Sequence, residues 1–184
     1  MMKNPKFLAR LKPKMVCEGQ YIRFLSVGSW EYVQRKNCTG IVIIIAVTAG
    51  GKIILTEQYR IPVKKNVIEF PAGLVNDLNP KKKESIFIAA QRELVEETGY
   101  LTGKMTRIMA GPVSAGFTSD MVTIVQATDL CKVGKGGGDA TERIKVYEVP
   151  LAKVDDWLQL KQKKGDLVDP KLYAGLYWLK KYNG

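Results

Sequence analysis

Apolar residues follow different repeats along the chain, and each repeat predicts a type of element. Residues 40–47, Gly-Ile-Val-Ile-Ile-Ile-Ala-Val, form an unbroken apolar run, which predicts a strand buried on both faces. Residues 21–25 and 30–33 are rich in aromatic and β-branched side chains around a Gly-Ser turn, which predicts two short strands. The run 52–60 follows a glycine-rich turn and predicts a hairpin partner for strand 40–47, and residues 67–70 predict a further short strand.

The strongest helix pattern covers residues 84–98. Ile86, Ala90 and Leu94 recur every four residues, and Ala89 adds helix propensity. Gly99 supplies the signal that ends the helix.

The second half of the chain alternates strand and helix signals. Asp169 and Pro170 are the N-cap and first residue expected of the last helix, and residues 132–141, rich in glycine, predict a mobile loop. The mixture predicts an α/β or α+β domain with a mixed sheet, over residues 40–184, preceded by a small β-rich segment, residues 1–39. Strands are expected near 105–109, 121–126 and 142–149, and helices over 151–161 and 170–182.

Composition excludes several kinds of chemistry. The 184 residues include no histidine, which excludes Ser-His-Asp and Cys-His nucleophile systems and histidine metal sites. Cys17, Cys38 and Cys131 form no CxxC pair, so we interpret them as buried free thiols and not as a disulfide framework or a zinc site. Acid–base or metal chemistry must therefore depend on carboxylates, lysines, tyrosines or cysteines.

The charge and the termini indicate where the protein acts. The N-terminal segment is basic without a long apolar core, and the longest apolar run, 41–47, is shorter than the roughly 20 residues that cross a bilayer. We therefore expect a cytoplasmic protein with no membrane partner. The formal charge of +11 is compatible with a nucleic-acid partner, with attraction to small phosphate-bearing substrates, or with a basic proteome.

Several carboxylates share one face of the predicted helix. Glu93, Glu96 and Glu97 are three and four residues apart, and Glu84 adds a fourth carboxylate upstream. Like charges in contact repel by about 4 kcal/mol per pair at an effective dielectric near 20, and the C-terminal end of a helix already disfavours anions. A hard divalent cation such as Mg²⁺ would compensate them. The alternative is a solvated, glutamate-rich face.

The residues around these carboxylates resemble the Nudix box. Seven residues separate Glu84 from Arg92, and Arg-Glu-Leu-Val-Glu-Glu-Thr-Gly-Tyr at 92–100 matches the family pattern Arg-Glu-aliphatic-x-Glu-Glu-x-Gly-aliphatic, with Tyr100 in the last place. Gly73 resembles the box glycine, but ten residues separate it from Glu84 where the family has five, so we expect a five-residue insertion within 76–83. The resemblance implies an α/β/α sandwich with a mixed sheet.

Two further segments resemble the ADP-ribose and nucleoside-diphosphate-sugar branch of the Nudix hydrolases. Gln-Tyr-Arg at 58–60 precedes Glu-Phe-Pro-Ala-Gly at 69–73, and Trp-Glu-Tyr-Val-Gln-Arg at 30–35 belongs to a β-rich N-terminal segment. The resemblance implies a homodimer whose N-terminal strands exchange and help build both active sites. Ala115 stands where the ADP-ribose subgroup has a proline, so the preferred sugar and base stay open.

The resemblance also assigns roles on the helix. Glu93 and Glu97 would ligate Mg²⁺, or Mn²⁺ as a substitute, with Glu96 in direct or water-mediated contact and the Ala72 carbonyl as a backbone ligand. Glu96 would thereby serve catalysis as well. Arg92 would orient the glutamates through charge-assisted hydrogen bonds.

Other residues are candidates for the general base and for contacts with the substrate. Glu142, after the glycine-rich loop, is the expected general base, with Asp139 as the alternative; otherwise Glu142 only begins a strand. Trp30 would stack on the nucleobase or belong to the core. Arg35 and Arg60 would contact phosphate or the terminal ribose, or be ordinary surface arginines.

The sequence thus predicts a Mg²⁺-dependent pyrophosphohydrolase that cleaves ADP-ribose or another nucleoside-diphosphate sugar into a nucleoside monophosphate and a sugar phosphate. Another Nudix substrate, such as a dinucleoside polyphosphate or a nucleoside triphosphate, is the second possibility. A basic RNA-binding protein on a Nudix fold is the third, but the intact carboxylates argue against a nucleic-acid partner because they would repel its phosphates.

Overall fold

The computed structural model describes residues 11–77, 83–139 and 142–182. This part of the chain contains eleven strands and three α-helices. In chain order they are β1 (Lys14–Glu18), β2 (Ile22–Val27), β3 (Trp30–Arg35), β4 (Gly40–Ala46), β5 (Lys52–Arg60), β6 (Lys65–Glu69), β7 (Ala72–Val75), α1 (Ile86–Thr98), β8 (Tyr100–Pro112), β9 (Met121–Lys132), β10 (Ile144–Pro150), α2 (Val154–Lys163), β11 (Leu167–Val168) and α3 (Lys171–Tyr182).

Two four-stranded mixed sheets form the centre of the fold, in the orders β7-β4-β9-β8 and β10-β5-β6-β11. The apolar residues of α1 pack with one face of these sheets, and those of α2 and α3 pack with the other face. The molecule is therefore an α/β/α sandwich, and the predicted fold class is confirmed.

Strand β4 explains why the longest apolar run has no polar alternation. Val42 and Ile44 point into the cluster around α1, whereas Ile43 and Ile45 point into the cluster around α2 and α3. Successive side chains leave opposite faces of a strand, so both faces must be apolar when helices cover both. Truncating a fully buried residue such as Ile44 to alanine would cost about 2–5 kcal/mol of stability.

The predicted hairpin between residues 40–47 and 52–60 is wrong. Strand β4 pairs with β7 and with β9, while β5 pairs with β6 and with β10 in the other sheet. A single bridge from Val47 to Ile53 connects them. A strand that is apolar on both faces carries no sequence pattern that identifies the strands it pairs with. A short turn after it therefore suggests a hairpin, whereas the chain passes through this turn from one sheet to the other.

Local signals define both ends of α1. The Ser85 hydroxyl accepts a hydrogen bond from the Ile88 N–H over 3.3 Å, so the helix begins at Ile86, two residues after the predicted start. Gly99 adopts a left-handed conformation with φ of 72° and ends it, as predicted. The buried side of the helix carries Ala89, Ala90 and Leu94 against the sheets, and it also carries two of the glutamates, Glu93 and Glu97.

The glycine-rich segment differs from its prediction as a mobile loop. Its backbone is hydrogen-bonded to the C-terminal end of α1, with Gly137 N–H donating to the Glu97 carbonyl over 2.8 Å. The glycines therefore allow close packing. The predicted five-residue insertion falls largely on residues 78–82, outside the described residues; on either side of them, Asn76 and Glu84 exchange two hydrogen bonds of 2.8 and 3.0 Å.

The N-terminal segment forms its own three-stranded sheet, β1-β2-β3, one strand more than predicted. Its contact with the rest of this chain runs through β3 and the loop after β8: Val33 exchanges backbone hydrogen bonds with Phe117 and Ser119, and Arg35 pairs with Asp120. A division of the chain at residue 39 stays a prediction.

The last helix begins at Lys171, one residue after the predicted first position, Pro170. The Asp169 side chain accepts a hydrogen bond from the Lys171 N–H over 2.8 Å. Gly175 lets α3 approach the sheet, because a Cβ there would lie 2.5 Å from the Phe70 ring and 2.9 Å from Ile45. This packing fixes the position of the first turn of α3, which carries Lys171.

Candidate active site

One cleft of about 760 Å³ gathers most of the charged residues singled out from the sequence. Its walls come from α1, β5, β6, β7, the glycine-rich loop and the start of α3. Trp30 does not belong to the lining, and 55% of its surface is exposed. The predicted site residues in the lining are Arg35, Arg60, Ala72, Arg92, Glu93, Glu96, Glu97 and Glu142, with the alternative base Asp139.

We call Glu93, Glu96, Glu97 and Glu142 the acidic set. Glu93 and Glu97 are buried, with 8% and 6% of their surfaces exposed. They lie one turn apart on α1, on the same buried side of the helix as Ala90 and Leu94. Gly73 of β7 makes the space for them, because a Cβ there would overlap the Glu93 carboxyl group.

Burial dominates the ionisation of the two buried glutamates. It raises the pKa of Glu97 to about 9, and the charges of Glu93 and Glu142 act in the same direction. The Ala72 N–H, which donates to the Glu97 carboxylate over 3.1 Å, lowers this pKa but does not offset burial. Burial also raises the pKa of Glu93 to about 7, although Arg92 opposes the shift. Two buried carboxylates with so little compensation are suited to share a divalent cation.

The donor set fits a hard cation chemically. It supplies carboxylate oxygens and the Ala72 carbonyl, the ligands that Mg²⁺ prefers. Within the described part of the chain, no three of the acidic side chains surround a common point that could hold a metal ion. The carboxylates would therefore have to converge when a cation binds, with Glu93 turning from Arg92.

Arg92 holds the acidic set to the preceding loop. Its guanidinium donates to Glu84 over 3.1 Å, to Glu93 over 2.6 Å, and to Asp77 and the Leu74 carbonyl over 3.0 Å each. Those partners direct Arg92 toward protein groups, as the role of an orienting residue requires. Glu84 also accepts the Asn76 N–H, which fixes the loop at the edge of the cleft.

Both candidate bases stand in the cleft. Glu142 is half-buried, accepts a hydrogen bond from the Gln58 side chain over 3.3 Å, and is close enough to Glu97 to raise the pKa of that residue. The Glu142 N–H donates to the Asp139 carbonyl over 3.3 Å. The geometry therefore brings both carboxylates to the reaction space.

A second group of charges lines the same cleft, and we call Arg35, Arg60 and Lys171 the basic set. A carboxylate holds each of the three cations. Arg35 pairs with Asp120 at 3.0 Å, Arg60 with Glu69 at 2.7 Å, and Lys171 with Asp169 at 2.5 Å. Burial raises the pKa of Glu69, which Arg60 partly offsets.

Sequence reasoning missed Lys171 and Glu69. The Asp169-Pro170 signal placed the start of α3, and Glu69 stands in the Glu-Phe-Pro-Ala-Gly segment. Neither signal says that α3 begins beside β6 at the cleft, since that follows from the parallel pairing of β6 and β11.

Comparison with known proteins agrees with this architecture. Residues 38–172 match the family model of the NUDIX domain. ADP-ribose pyrophosphatase of Bacillus subtilis (strain 168) is 36% identical over 141 residues, which cover 76% of this chain and 71% of that protein. The chain belongs to the Nudix domain family and is a Nudix hydrolase, which confirms the predicted resemblance.

Other relatives carry different names. The methanol dehydrogenase activator of Bacillus methanolicus is 34% identical over 142 residues, 76% of this chain and 71% of that protein. GDP-mannose pyrophosphatase of Pectobacterium atrosepticum is 30% identical over 122 residues, 62% of this chain and 60% of that protein. The crystal structure of an ADP compounds hydrolase has a TM-score of 0.66 at 23% identity and covers 93% of both chains, which supports the fold. In the described residues, no helix is long and apolar enough to cross a membrane.

Proposed function

We propose that this Nudix hydrolase uses Mg²⁺, or Mn²⁺ in its place, to hydrolyse the diphosphate of ADP-ribose or a related nucleoside-diphosphate sugar. The products are a nucleoside monophosphate and a sugar phosphate. The names of the Bacillus subtilis and Pectobacterium atrosepticum relatives support this substrate class.

The observation that carries the proposal is the pairing of two opposite kinds of charge in one cleft. Glu93 and Glu97 are buried, and the positive groups near them do not fully compensate their negative charge. A divalent cation would supply the missing compensation. Arg60 and Lys171 line the same cleft and suit a dianionic diphosphate. A substrate that brings phosphates and a cation together satisfies both sets.

Each group has a defined part in the reaction. When bound, the cation supplies neutralisation of the diphosphate charge and a lower pKa for the attacking water. Glu93, Glu96 and Glu97 would hold it, and Arg92, which binds the Glu93 carboxylate over 2.6 Å in the cation-free protein, would orient this glutamate until it turns to the cation. The water oxygen attacks one phosphorus atom of the diphosphate as Glu142 accepts a water proton. The P–O bond to the bridging oxygen then breaks, and its electron pair leaves with that oxygen on the other phosphate.

The base assignment is tested by comparing two variants. We expect Glu142→Gln to reduce kcat by about 10²–10⁴-fold, the usual contribution of a general base, while Mn²⁺ affinity changes little. Asp139→Asn is the matched control from the same loop. If Asp139→Asn shows the loss and Glu142→Gln does not, Asp139 is the base.

A substrate panel tests the reaction class. ADP-ribose, GDP-mannose, other nucleoside-diphosphate sugars, a dinucleoside polyphosphate and nucleoside triphosphates would be assayed with Mg²⁺ and then with Mn²⁺. We expect the highest kcat/KM among the sugars. Preference for a triphosphate or a dinucleoside would contradict the substrate class, and steeply salt-dependent RNA binding without turnover would favour the RNA-binding alternative.

We also propose a homodimer in which Trp30 reaches the nucleobase of a site shared by two chains. The support is that Trp30 is exposed in one chain and that β1 is exposed along its whole length, with about half of the Met15 and Val16 surfaces uncovered. Trp30→Ala should raise KM about tenfold to a hundredfold through lost stacking and reduce kcat much less. Sedimentation as a fully active monomer at micromolar concentration would contradict the shared site.

A further inference from the structure

The glycine-rich loop lies against the turn of α1 that carries the acidic set. Gly137 N–H donates to the Glu97 carbonyl over 2.8 Å, and Gly138 N–H donates to the Glu96 carbonyl over 3.2 Å. The last carbonyls of a helix have no partner inside it. The loop therefore supplies the missing donors at the residues whose side chains face the cleft.

Gly137 also bonds to the segment that carries the proposed base. Its carbonyl accepts the N–H of Ile144, the first residue of β10, over 3.1 Å. Glu142 precedes Ile144 by two residues. One residue thus links Glu97 on α1 to the strand beside Glu142, and the distance between these two segments depends on the path of the loop.

Two neighbouring glycines allow this path. Gly136 has φ of +68°, and a Cβ on it would lie 2.6 Å from the Glu97 carbonyl oxygen and even closer to the backbone of Thr98. Gly138 has φ of +82°, and a Cβ there would lie 2.8 Å from the Glu142 Cβ and 2.9 Å from its Oε2. A side chain at 136 would push the loop from α1, and one at 138 would push the Glu142 carboxylate.

We propose that Gly136 and Gly138 are positioning residues that set the place of the Glu142 carboxylate relative to the glutamates of α1. The proposal rests on the proposed function, in which Glu142 accepts the water proton. An error of about 1 Å in such a geometry can cost about 10²-fold in rate. The basic set does not depend on this loop, so substrate binding is retained when the loop is displaced.

The experiment compares Gly136→Ala with Gly51→Ala. Gly51 has φ of +69°, almost the same as Gly136, but a Cβ on it meets nothing within 4 Å, so this control carries the backbone strain without the close approach. We expect Gly51→Ala to keep wild-type kcat and Gly136→Ala to reduce kcat by about 10–100-fold with KM within about twofold. Amide hydrogen exchange at Gly137 should be slow in the wild type and fast in Gly136→Ala. Wild-type kcat and slow exchange in Gly136→Ala, or an equal loss in Gly51→Ala, would overturn the role of Gly136.

Gly138→Ala tests the link to the base and stays decisive if Gly136→Ala does not fold. It should slow the wild-type enzyme by a similar factor but add less than about twofold to the loss in Glu142→Gln, because both changes act through one carboxylate. A fully additive loss would overturn the role of Gly138. If Glu142→Gln itself keeps full turnover, the proposed base is wrong and the role of Gly138 fails with it. The comparison of Gly136→Ala with Gly51→Ala still decides whether turnover requires the close approach of the loop to the end of α1.

Discussion

The acidic set and the basic set line one cleft but are built in opposite ways. Three of the four acidic residues come from consecutive turns of one helix, and Glu93 and Glu97 are buried with raised pKa values. The basic residues come from β3, β5 and α3; each is partly exposed and already paired with a carboxylate. The positive charge of Arg92 beside Glu93 is shared with Glu84 and Asp77, so the acidic set stays poorly compensated, whereas the basic set is close to neutral until its partners are shared with a ligand.

This difference indicates how each set interacts with a ligand. The side chains of Arg60 and Lys171 are 42% and 40% exposed, and each has N–H donors beyond those that its carboxylate partner accepts, so both can add hydrogen bonds to phosphates while they keep their partners. Buried carboxylates are costly when charged and uncompensated, so the acidic set gains most from a cation. Substitutions in the acidic set should therefore affect turnover, and those in the basic set should affect KM.

The largest effect is expected from Glu97→Gln. Glutamine keeps the size of the side chain but loses the charge that holds the cation, so kcat at saturating Mg²⁺ should fall by about 10³-fold, the equivalent of several kcal/mol of transition-state stabilisation. Asp156→Asn, which removes an exposed carboxylate from α2, is the control and should keep full activity. Turnover close to the wild type in Glu97→Gln would remove Glu97 from the ligand set.

A smaller effect, on KM, is expected from Lys171→Gln. A lost hydrogen bond to a charged phosphate is equivalent to about 1.5–3 kcal/mol, so KM should rise by at least about tenfold with kcat less affected. Lys180 is a matched control, because it lies on the same helix and also pairs with an aspartate, Asp155, but does not line the cleft. Equal KM values for Lys171→Gln and Lys180→Gln would contradict a role in substrate binding.

The smallest effect is on the stability of the cation-free protein. The folded-state pKa values of Glu93 and Glu97, about 7 and about 9, lie above the ordinary value of 4.5. Their protonated forms therefore contribute fully to stability below pH 4.5, and this contribution is lost as the pH rises toward 7 for Glu93 and 9 for Glu97. Glu57, with a pKa lowered to about 2, is ionised in both states above pH 6 and adds no slope there.

Thermal unfolding in chelator between pH 6 and 8.5 should therefore show Tm falling on the order of 2–5 °C per pH unit, and less steeply in Glu97→Gln. At pH 8, Mg²⁺ at 100 times its Kd should stabilise the protein by about 2.7 kcal/mol and raise Tm by roughly 5–10 °C. A flat pH profile, or no response to Mg²⁺, would contradict the account of the acidic set.

The same comparison shows what could be predicted from the sequence. The acidic set depends on helix spacing and local capping, so Glu93, Glu96 and Glu97 could be assigned to one face from the sequence alone. The apolar run at 40–47 predicted a strand buried on both faces, and the sandwich followed from the resemblance. Lys171 could not be predicted at the cleft, because its place depends on the pairing of β6 with β11 and on the packing of Gly175.

Two errors have one physical origin. The hairpin between β4 and β5 and the mobile glycine-rich loop were both inferred from local composition, whereas tertiary contacts decided both. The edges of β4 are paired with β7 and β9, and Gly136 and Gly137 lie against Thr98 and Glu97.

We expect Glu93, Glu96 and Glu97 to hold the cation that diphosphate hydrolysis requires. The most direct test titrates Mg²⁺ into chelator-treated wild type and Glu97→Gln and follows the products of ADP-ribose. We expect equal amounts of AMP and ribose 5-phosphate, formed only when the cation is present and scarcely at all by the variant. Cleavage at the same rate without a divalent cation, or at the wild-type rate by Glu97→Gln, would contradict it.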